Sequence, residues 1–481
     1  MAEAPFPRCN MRRPPRRRPM LFKGKDLAAM LRKLRRSILL LWKLLVFLAV
    51  GSVFFLLYSI RNPYLLIPSR TAAITLSAYS LVYLLMTRVY GGFDVGIKKS
   101  RPIIYSLSLC VAAADLAAHL FLCIMNTTVI HEGRFVYEQP YLLLASMVLQ
   151  VLLISLLTYG GNGLYFHFVP PHQALVVLRP GDNVAHLTKK IGEYHRQFHI
   201  CQFVTRDDPQ LFPLVDRYDT IFLCNLSVRE RQDLVEYCYS QKKNFYYTLE
   251  MADLVSLGSE RVMFDDTSMM HSAPKGLTME QRILKRLGDI LLSVLCLILA
   301  SPVMLVTAIA IKLEDGGSVF YRQRRATYGG RTFEVIKFRS MREADGNDHR
   351  SVTKDDDRIT RVGRVIRKYR IDELPQLINV LKSDMSFVGP RPEMIENVEK
   401  YTRELPEFSY RLWAKAGLTG MAQVYGKYNT SPKEKLTMDL IYIEQYSLLL
   451  DIKLLLRTVL VLFTPDESTE AFDKDEEPSV S

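Results

Sequence analysis

The sequence has few of the residues that build a metal or disulfide framework. Its 481 residues include seven cysteines (Cys9, Cys110, Cys123, Cys201, Cys224, Cys238 and Cys296), with no C-x-x-C spacing among them. An odd, dispersed set excludes a disulfide-stapled scaffold and a zinc ribbon, and fits a reducing, cytosol-facing protein. Excess charge of one sign is also scarce outside one end. Residues 1–36 carry +10 of the net +13, from twelve Lys/Arg against Glu3 and Asp26, so the rest of the chain is nearly balanced. That tail has Pro and Arg where a nucleic-acid groove would interleave basic and aromatic residues, so no nucleic-acid partner is expected. Apolar residues are abundant, at 49% of the chain, which excludes a disordered or collagen-like protein.

The apolar residues are concentrated. Four runs, at about 37–60, 71–89, 103–125 and 141–158, approach the ~20 residues a helix needs to cross a bilayer. They predict a four-helix transmembrane anchor over 37–160, after a basic tail at 1–36. The first run is too long for a signal peptide. Basic residues precede it, and Arg88, Lys98, Lys99 and Arg101 lie between the second and third runs. Arg61 and Arg70, then Arg134 alone, mark the other two loops. This bias places both ends of the bundle in the cytoplasm. Asp115 and His119, four residues apart in the third run, share a helical face and are expected to bond neighbouring helices.

From 172 to 262 the pattern changes. Apolar runs such as Ala174–Leu178, Phe198–Val204 and Thr220–Cys224 alternate with helix-like segments at 184–196 and 228–240. That alternation predicts a small parallel α/β domain. Arg179-Pro180-Gly181-Asp182-Asn183 follows the first strand, where a cofactor-binding domain would carry G-x-G-x-x-G. Without those glycines a pyrophosphate cannot approach the backbone, so the domain reads as degenerate Rossmann-like, without a cofactor.

Residues 290–311 form a fifth apolar run, interrupted by Ser301-Pro302. A proline there removes a backbone donor and kinks a helix. A full crossing would carry the charged segment that follows to the side opposite cytosolic activated substrates. A re-entrant helix over 288–312, broken at Ser301 and Pro302, keeps that segment inside.

Ordered charge patterns then follow: Lys337-Phe338-Arg339-Ser340-Met341; Asp357-Arg358-Ile359-Thr360-Arg361-Val362-Gly363, leading through Arg367; Asp372-Glu373-Leu374-Pro375-Gln376-Leu377; Val388-Gly389-Pro390-Arg391-Pro392; and Gly417 to Val424. Taken alone, Asp-Glu-x-Pro is an ordinary helix start. The run Asp355-Asp356-Asp357 reads as a solvated turn. Together, a carboxylate pair among Lys and Arg beside a membrane-dipping helix suits phosphoryl chemistry at a bilayer surface. Cations and Mg²⁺ would neutralise a diphosphate while one carboxylate attacks phosphorus and the other holds the metal.

The order KFRSM, D-x-R-x-T-x-x-G, DELPQL, VGPRP and G-x-TG-x-AQV, over about residues 278–463, resembles the bacterial monotopic phosphoglycosyl transferases. These are the polyprenyl-phosphate sugar-1-phosphate transferases. The bundle and α/β domain resemble the family's large form, the undecaprenyl-phosphate galactose or glucose phosphotransferases. The resemblance implies a mainly α catalytic domain on the cytoplasmic face of the bacterial inner membrane. Its substrates would be a UDP-sugar and undecaprenyl phosphate, its by-product UMP, and its pathway a surface glycan. Asp372 would be the nucleophile and Glu373 the Mg²⁺ ligand. Lys337, Arg339, Arg367 and Arg391 would contact phosphate, with Lys427 and Asp451 at further binding positions. Two departures stand out: Tyr425-Gly426-Lys427 where the family usually has Asn-Gly-Arg, and Ala416 where it usually has Pro. Other readings of the same residues are a non-catalytic lipid-binding scaffold and a glycosyltransferase that releases UDP. A homodimer is a further expectation, and the acidic tail, 464–481, reads as disordered.

Overall fold

A computed structural model describes residues 35–90, 100–129, 135–169, 171–181, 191–192, 194, 196–273, 277–342, 358–426 and 430–462. The basic tail to residue 34, Lys98, Lys99, Arg134, most of 184–196, Asp355–Asp357, Lys427 and the acidic tail lie outside these residues. The chain forms two compact units, 1–250 and 251–481.

The first unit opens with four long helices: α1 (Arg35–Ser59), α2 (Arg70–Tyr90), α3 (Ser100–Val129) and α4 (Pro140–Phe168). Each is long and apolar enough to cross a membrane. Their core gathers Val50, Phe54, Tyr79, Tyr83, Leu107 and Ile154, while Leu44, Leu84 and Leu152 face outward. Apolar residues inside and out are what a bundle surrounded by lipid requires. Within the core Asp115 accepts hydrogen bonds from Ser146 Oγ (2.8 Å) and Gln150 Nε2 (3.1 Å), and Gln150 Nε2 also reaches Val50 O (3.2 Å). His119 Nδ1 lies 2.9 Å from Tyr58 OH. The Asp115–His119 face therefore ties α1, α3 and α4 together, as their spacing predicts.

Next comes a four-stranded parallel sheet, ordered β2-β1-β3-β4, from β1 (His172–Leu178), β2 (Phe198–Thr205), β3 (Thr220–Leu223) and β4 (Asn244–Tyr247). Helices α5 (Leu211–Arg217) and α6 (Val228–Ser240) fall between its strands. Leu175, Val177, Ile221 and Leu223 pack with Leu211, Leu214 and Leu234. At the carboxyl edge Arg179 forms a two-bond pair with Glu230, whose carboxylate also takes the Ser227 N–H in the capping box of α6. The sheet ends at Tyr247, and residues 251–262 group with the second unit.

The second unit begins with α7 (Met251–Gly258) and the hairpin β5 (Glu260–Phe264) and β6 (Thr267–His271). Then comes α8 (Met279–Asp315), helical for 37 residues. The expected interruption at Ser301-Pro302 is not a gap in the helix. Both flanks of α8 bear on the same domain. Near its start, Asp289 accepts from Ser386 Oγ and Phe387 N, and Arg286 caps Val380 O and Leu381 O. Near its end, Ile311 packs with Phe338 and Ile366. Between these anchors Leu295, Ile298, Leu299, Leu305 and Val306 are exposed.

The remaining elements are short. Strands β7 (Phe320–Ala326) and β8 (Thr332–Phe338) form an antiparallel hairpin. After α9 (Arg361–Lys368), α10 (Gln376–Leu381) and β9 (Ser386–Val388) come α11 (Ile395–Glu404), β10 (Gly417–Thr419), α12 (Met421–Tyr425), α13 (Pro432–Glu444) and α14 (Leu448–Leu462). Parallel pairing of β9 with β10 brings Gly389, Gly417 and Gly420 backbone to backbone, where any Cβ would collide. That contact accounts for the glycines of VGPRP and GLTG.

Candidate active site

Antiparallel register puts Tyr321 opposite Lys337, Gln323 opposite Val335 and Arg325 opposite Phe333. Residues facing each other across a pair share a side of the sheet, so Lys337 and Arg325 lie on the face where Phe333 and Val335 are buried. Asp372 and Glu373 sit in a single 3₁₀ turn, Ile371–Glu373, entered through Arg370 in the left-handed region (φ 56°). Neither carboxylate caps α10, whose N-cap is Pro375 with no side-chain bond. The ordinary helix-start reading of this tetrapeptide therefore leaves its two acids unexplained.

Cations converge on Glu373. Lys337 Nζ lies 3.3 Å and Arg391 Nη2 3.1 Å from the same oxygen, Oε1. Oε2 carries no hydrogen bond among the described residues. Burial opposes the Glu373 charge, but Arg391, Lys337 and Arg370 outweigh it and hold this carboxyl at about 2. Asp372 goes the other way. Burial, with Glu373 beside it, pushes it up to about 6 against the pull of Lys337 and Arg367. Two adjacent carboxylates are thus split, one locked as an anion and one made more basic, as in paired-carboxylate active sites.

Of the other expected site residues, Arg367 lies in the last turn of α9 with its charge acting on Asp372. Arg339 has its donors committed elsewhere: the guanidinium grips Asp315 at the end of α8 and its Nε bonds Ser318 O at 2.6 Å, leaving the residue 7% exposed. Asp451 joins a buried cluster, with Lys285 Nζ at 2.6 Å and Tyr442 OH at 2.8 Å, which ties α14 to α8. Burial raises its pKa and Lys285 opposes the rise. Ser301 and Pro302 lie in the exposed middle of α8.

Motif reading missed Arg325, whose Nη1 bonds Pro392 O at 3.1 Å and whose charge feels both Arg391 and Glu373. The signal was present: Tyr328-Gly329-Gly330 between two strand-like runs predicts a hairpin, and a hairpin puts Arg325 on the face of Lys337. The Ala416 departure also finds a partner. Its N–H, which a proline would lack, donates to Thr327 Oγ1 at 3.2 Å, and that hydroxyl donates to Asp384 O.

Residues 280–465 match the family described as bacterial sugar transferase. The UDP-glucose:undecaprenyl-phosphate glucose-1-phosphate transferase of Caulobacter vibrioides is 42% identical over 190 residues, covering 38% of this chain and 71% of that protein. The UDP-N-acetylgalactosamine-undecaprenyl-phosphate N-acetylgalactosaminephosphotransferase of Aeromonas hydrophila is 44% identical over 185 residues, 38% of this chain but 44% of that protein. The exopolysaccharide production protein ExoY of Sinorhizobium fredii is 38% identical over 193 residues, 37% of this chain and 84% of that protein. The matched stretch contains every motif that surrounds Glu373, and on it the chain belongs to the bacterial sugar transferases, the polyprenyl-phosphate sugar-1-phosphate transferase family.

Proposed function

We propose that this protein transfers a sugar-1-phosphate from a UDP-sugar to undecaprenyl phosphate, releasing UMP, through an acyl phosphate (a mixed anhydride) that links the phosphosugar to Asp372. The observation that carries the reading is the split pair: Asp372 raised to about 6, Glu373 held at about 2, with Lys337 and Arg391 at hand. At neutral pH Asp372 is ionised yet more basic than an ordinary aspartate, which favours it as a nucleophile. Its carboxylate oxygen attacks the sugar-linked phosphorus; a P–O bond forms as the bond to the bridging oxygen breaks and UMP leaves. A phosphate oxygen of the lipid then attacks the same phosphorus, freeing Asp372 and giving the polyprenyl diphosphosugar. Lys337 and Arg391 offset the charge of the diphosphate as UMP departs.

Magnesium fits the donors present. This ion takes one or two carboxylates and completes its shell with water and substrate phosphate, so Glu373, whose Oε2 has no hydrogen bond among the described residues, would hold it. Among the described residues no group of three His, Cys, Asp or Glu forms a closed cage. When bound, the ion would neutralise the diphosphate.

Packing of both flanks of α8 on one domain, with an exposed apolar middle, supports a helix that enters and leaves the bilayer on the same side. The basic tail and the loop before α3 favour the cytoplasmic side. UMP measured against UDP, with undecaprenyl phosphate, Mg²⁺ and a panel of UDP-sugars, tests the reaction. UMP with at least one sugar supports phosphosugar transfer, whereas UDP indicates transfer of the sugar alone and removes Asp372 from the nucleophile role.

A further inference from the structure

Arg391 is held by its backbone as well as by Glu373. Four consecutive carbonyls of its loop each accept a hydrogen bond: Pro390 O from Gly417 N (2.8 Å), Arg391 O from Arg411 Nη2 (2.9 Å), Pro392 O from Arg325 Nη1 (3.1 Å) and Glu393 O from Ala326 N (3.1 Å). The donor to Arg391 itself is a buried cation. Arg411 is 2% exposed, lies over the Phe408 ring at 4.8 Å, and pairs through the same Nη2 with Asp439, 1% exposed, at 2.7 Å. Its Nη1 makes no hydrogen bond, with Glu393 3.7 Å away. A buried ion pair with unfilled donors is poor value for stability, and apolar residues of similar volume would serve at least as well. Its geometry instead fixes one carbonyl.

We infer that Arg411, neutralised by Asp439, is a positioning residue for Arg391. It clamps the main chain of Arg391 so that the guanidinium reaches Glu373 in the resting enzyme and the substrate diphosphate during transfer. The inference rests on the phosphosugar-transferase reading above. Arg411 is buried and spent on Asp439 and Arg391 O, so it does not touch substrate; it acts through Arg391.

The test uses the full chain in lipid nanodiscs and compares wild type with R411K, R411M, R391K and R391K/R411M. Rates of UMP release and UMP affinity by calorimetry are measured on each, with near-UV circular dichroism to verify folding. R411M is expected to lower kcat/KM about 30-fold, and R411K, a point charge without the fork, to recover part of it. In the R391K background, where the guanidinium is already gone, removing Arg411 should cost no more than about threefold, because two residues acting through one interaction are not additive. UMP affinity should follow the same pattern, so the comparison holds even where R391K turns over slowly. If R411M does not fold, R411K carries the comparison. Equal losses in both backgrounds make Arg411 merely structural and overturn the inference, as do folded Arg411 variants with unchanged kinetics. A wild-type enzyme that releases no UMP is a different failure, of the transferase reading.

Discussion

Ser301 Oγ donates to Ile298 O at 2.8 Å. Ile298 is the residue four before Pro302, so its carbonyl is the one that loses a helical donor to the proline ring. The serine supplies a replacement in the exposed, apolar part of α8. This pairing explains how α8 stays helical through a proline. Ser301→Ala should leave that carbonyl without a donor, lowering thermal stability in nanodiscs by about 1 kcal/mol.

The same helix makes a topological prediction. Single cysteines at Gln281 and Ser318, in a chain with its native cysteines replaced, should both react with a membrane-impermeant maleimide from one side of sealed vesicles. Reaction from opposite sides would show that α8 crosses the bilayer.

The charge split predicts the pH dependence. A nucleophilic Asp372 would have to be ionised to attack, so the proposed mechanism predicts that kcat/KM falls as pH drops through about 6. Arg367 holds this carboxyl down, so Arg367→Gln should move the acid limb to higher pH. Stability shows the opposite sign. Raising the folded pKa of Asp372 above its unfolded value means its charge costs stability above pH 6, and nothing below about 4. Asp372→Asn should therefore abolish transfer while stabilising the fold by about 1 kcal/mol at pH 7.5, discounted for partial solvent access. Chemical denaturation at pH 7.5 and pH 4 checks that the gain disappears in acid.

Lys285 and Asp451 are 10% and 7% exposed and pair at 2.6 Å in a cluster with Tyr442, with the buried carboxylate of Asp289 close enough to act on Asp451. Asp451→Asn alone should strip Lys285 of its 2.6 Å ion-pair partner while leaving it buried, at a cost of about 3 kcal/mol. Lys285→Met with Asp451→Leu should recover much of this, as read from thermal unfolding.

Removing divalent ions with EDTA should stop UMP release and Mg²⁺ should restore it. Glu373→Gln should raise the Mg²⁺ concentration needed for half-activity, or abolish the response. Full turnover in EDTA would remove the metal role of Glu373.

How much of this was legible in the sequence depends on the range of each interaction. The apolar runs at 37–60 and 103–125 became α1 and α3, because lipid-length hydrophobicity is a local signal. Helix α3 continues to Val129, past the apolar run, since a helix need not stop where the lipid does. Lys337 and the Asp372–Glu373 pair were marked by the order of charges, and the fold gathers them with Arg391. Long-range pairing was not legible. Nothing in the sequence says that Arg339 turns to Asp315, that Arg411 finds Asp439, or that Asp451 meets Lys285, 166 residues away. A basic residue beside a motif looks the same whether it holds phosphate or closes a buried ion pair; only the fold distinguishes them.

The proposed covalent step can be isolated by leaving out the lipid. Enzyme mixed with its UDP-sugar and Mg²⁺, without undecaprenyl phosphate, is quenched and digested, and released UMP and modified peptides are quantified. A nucleophilic Asp372 predicts about one UMP per active site and a phosphosugar on the peptide carrying Asp372, absent in Asp372→Asn. UMP that appears only when the lipid is added, with no modified peptide, would mean direct transfer between the two substrates and would contradict a nucleophilic Asp372.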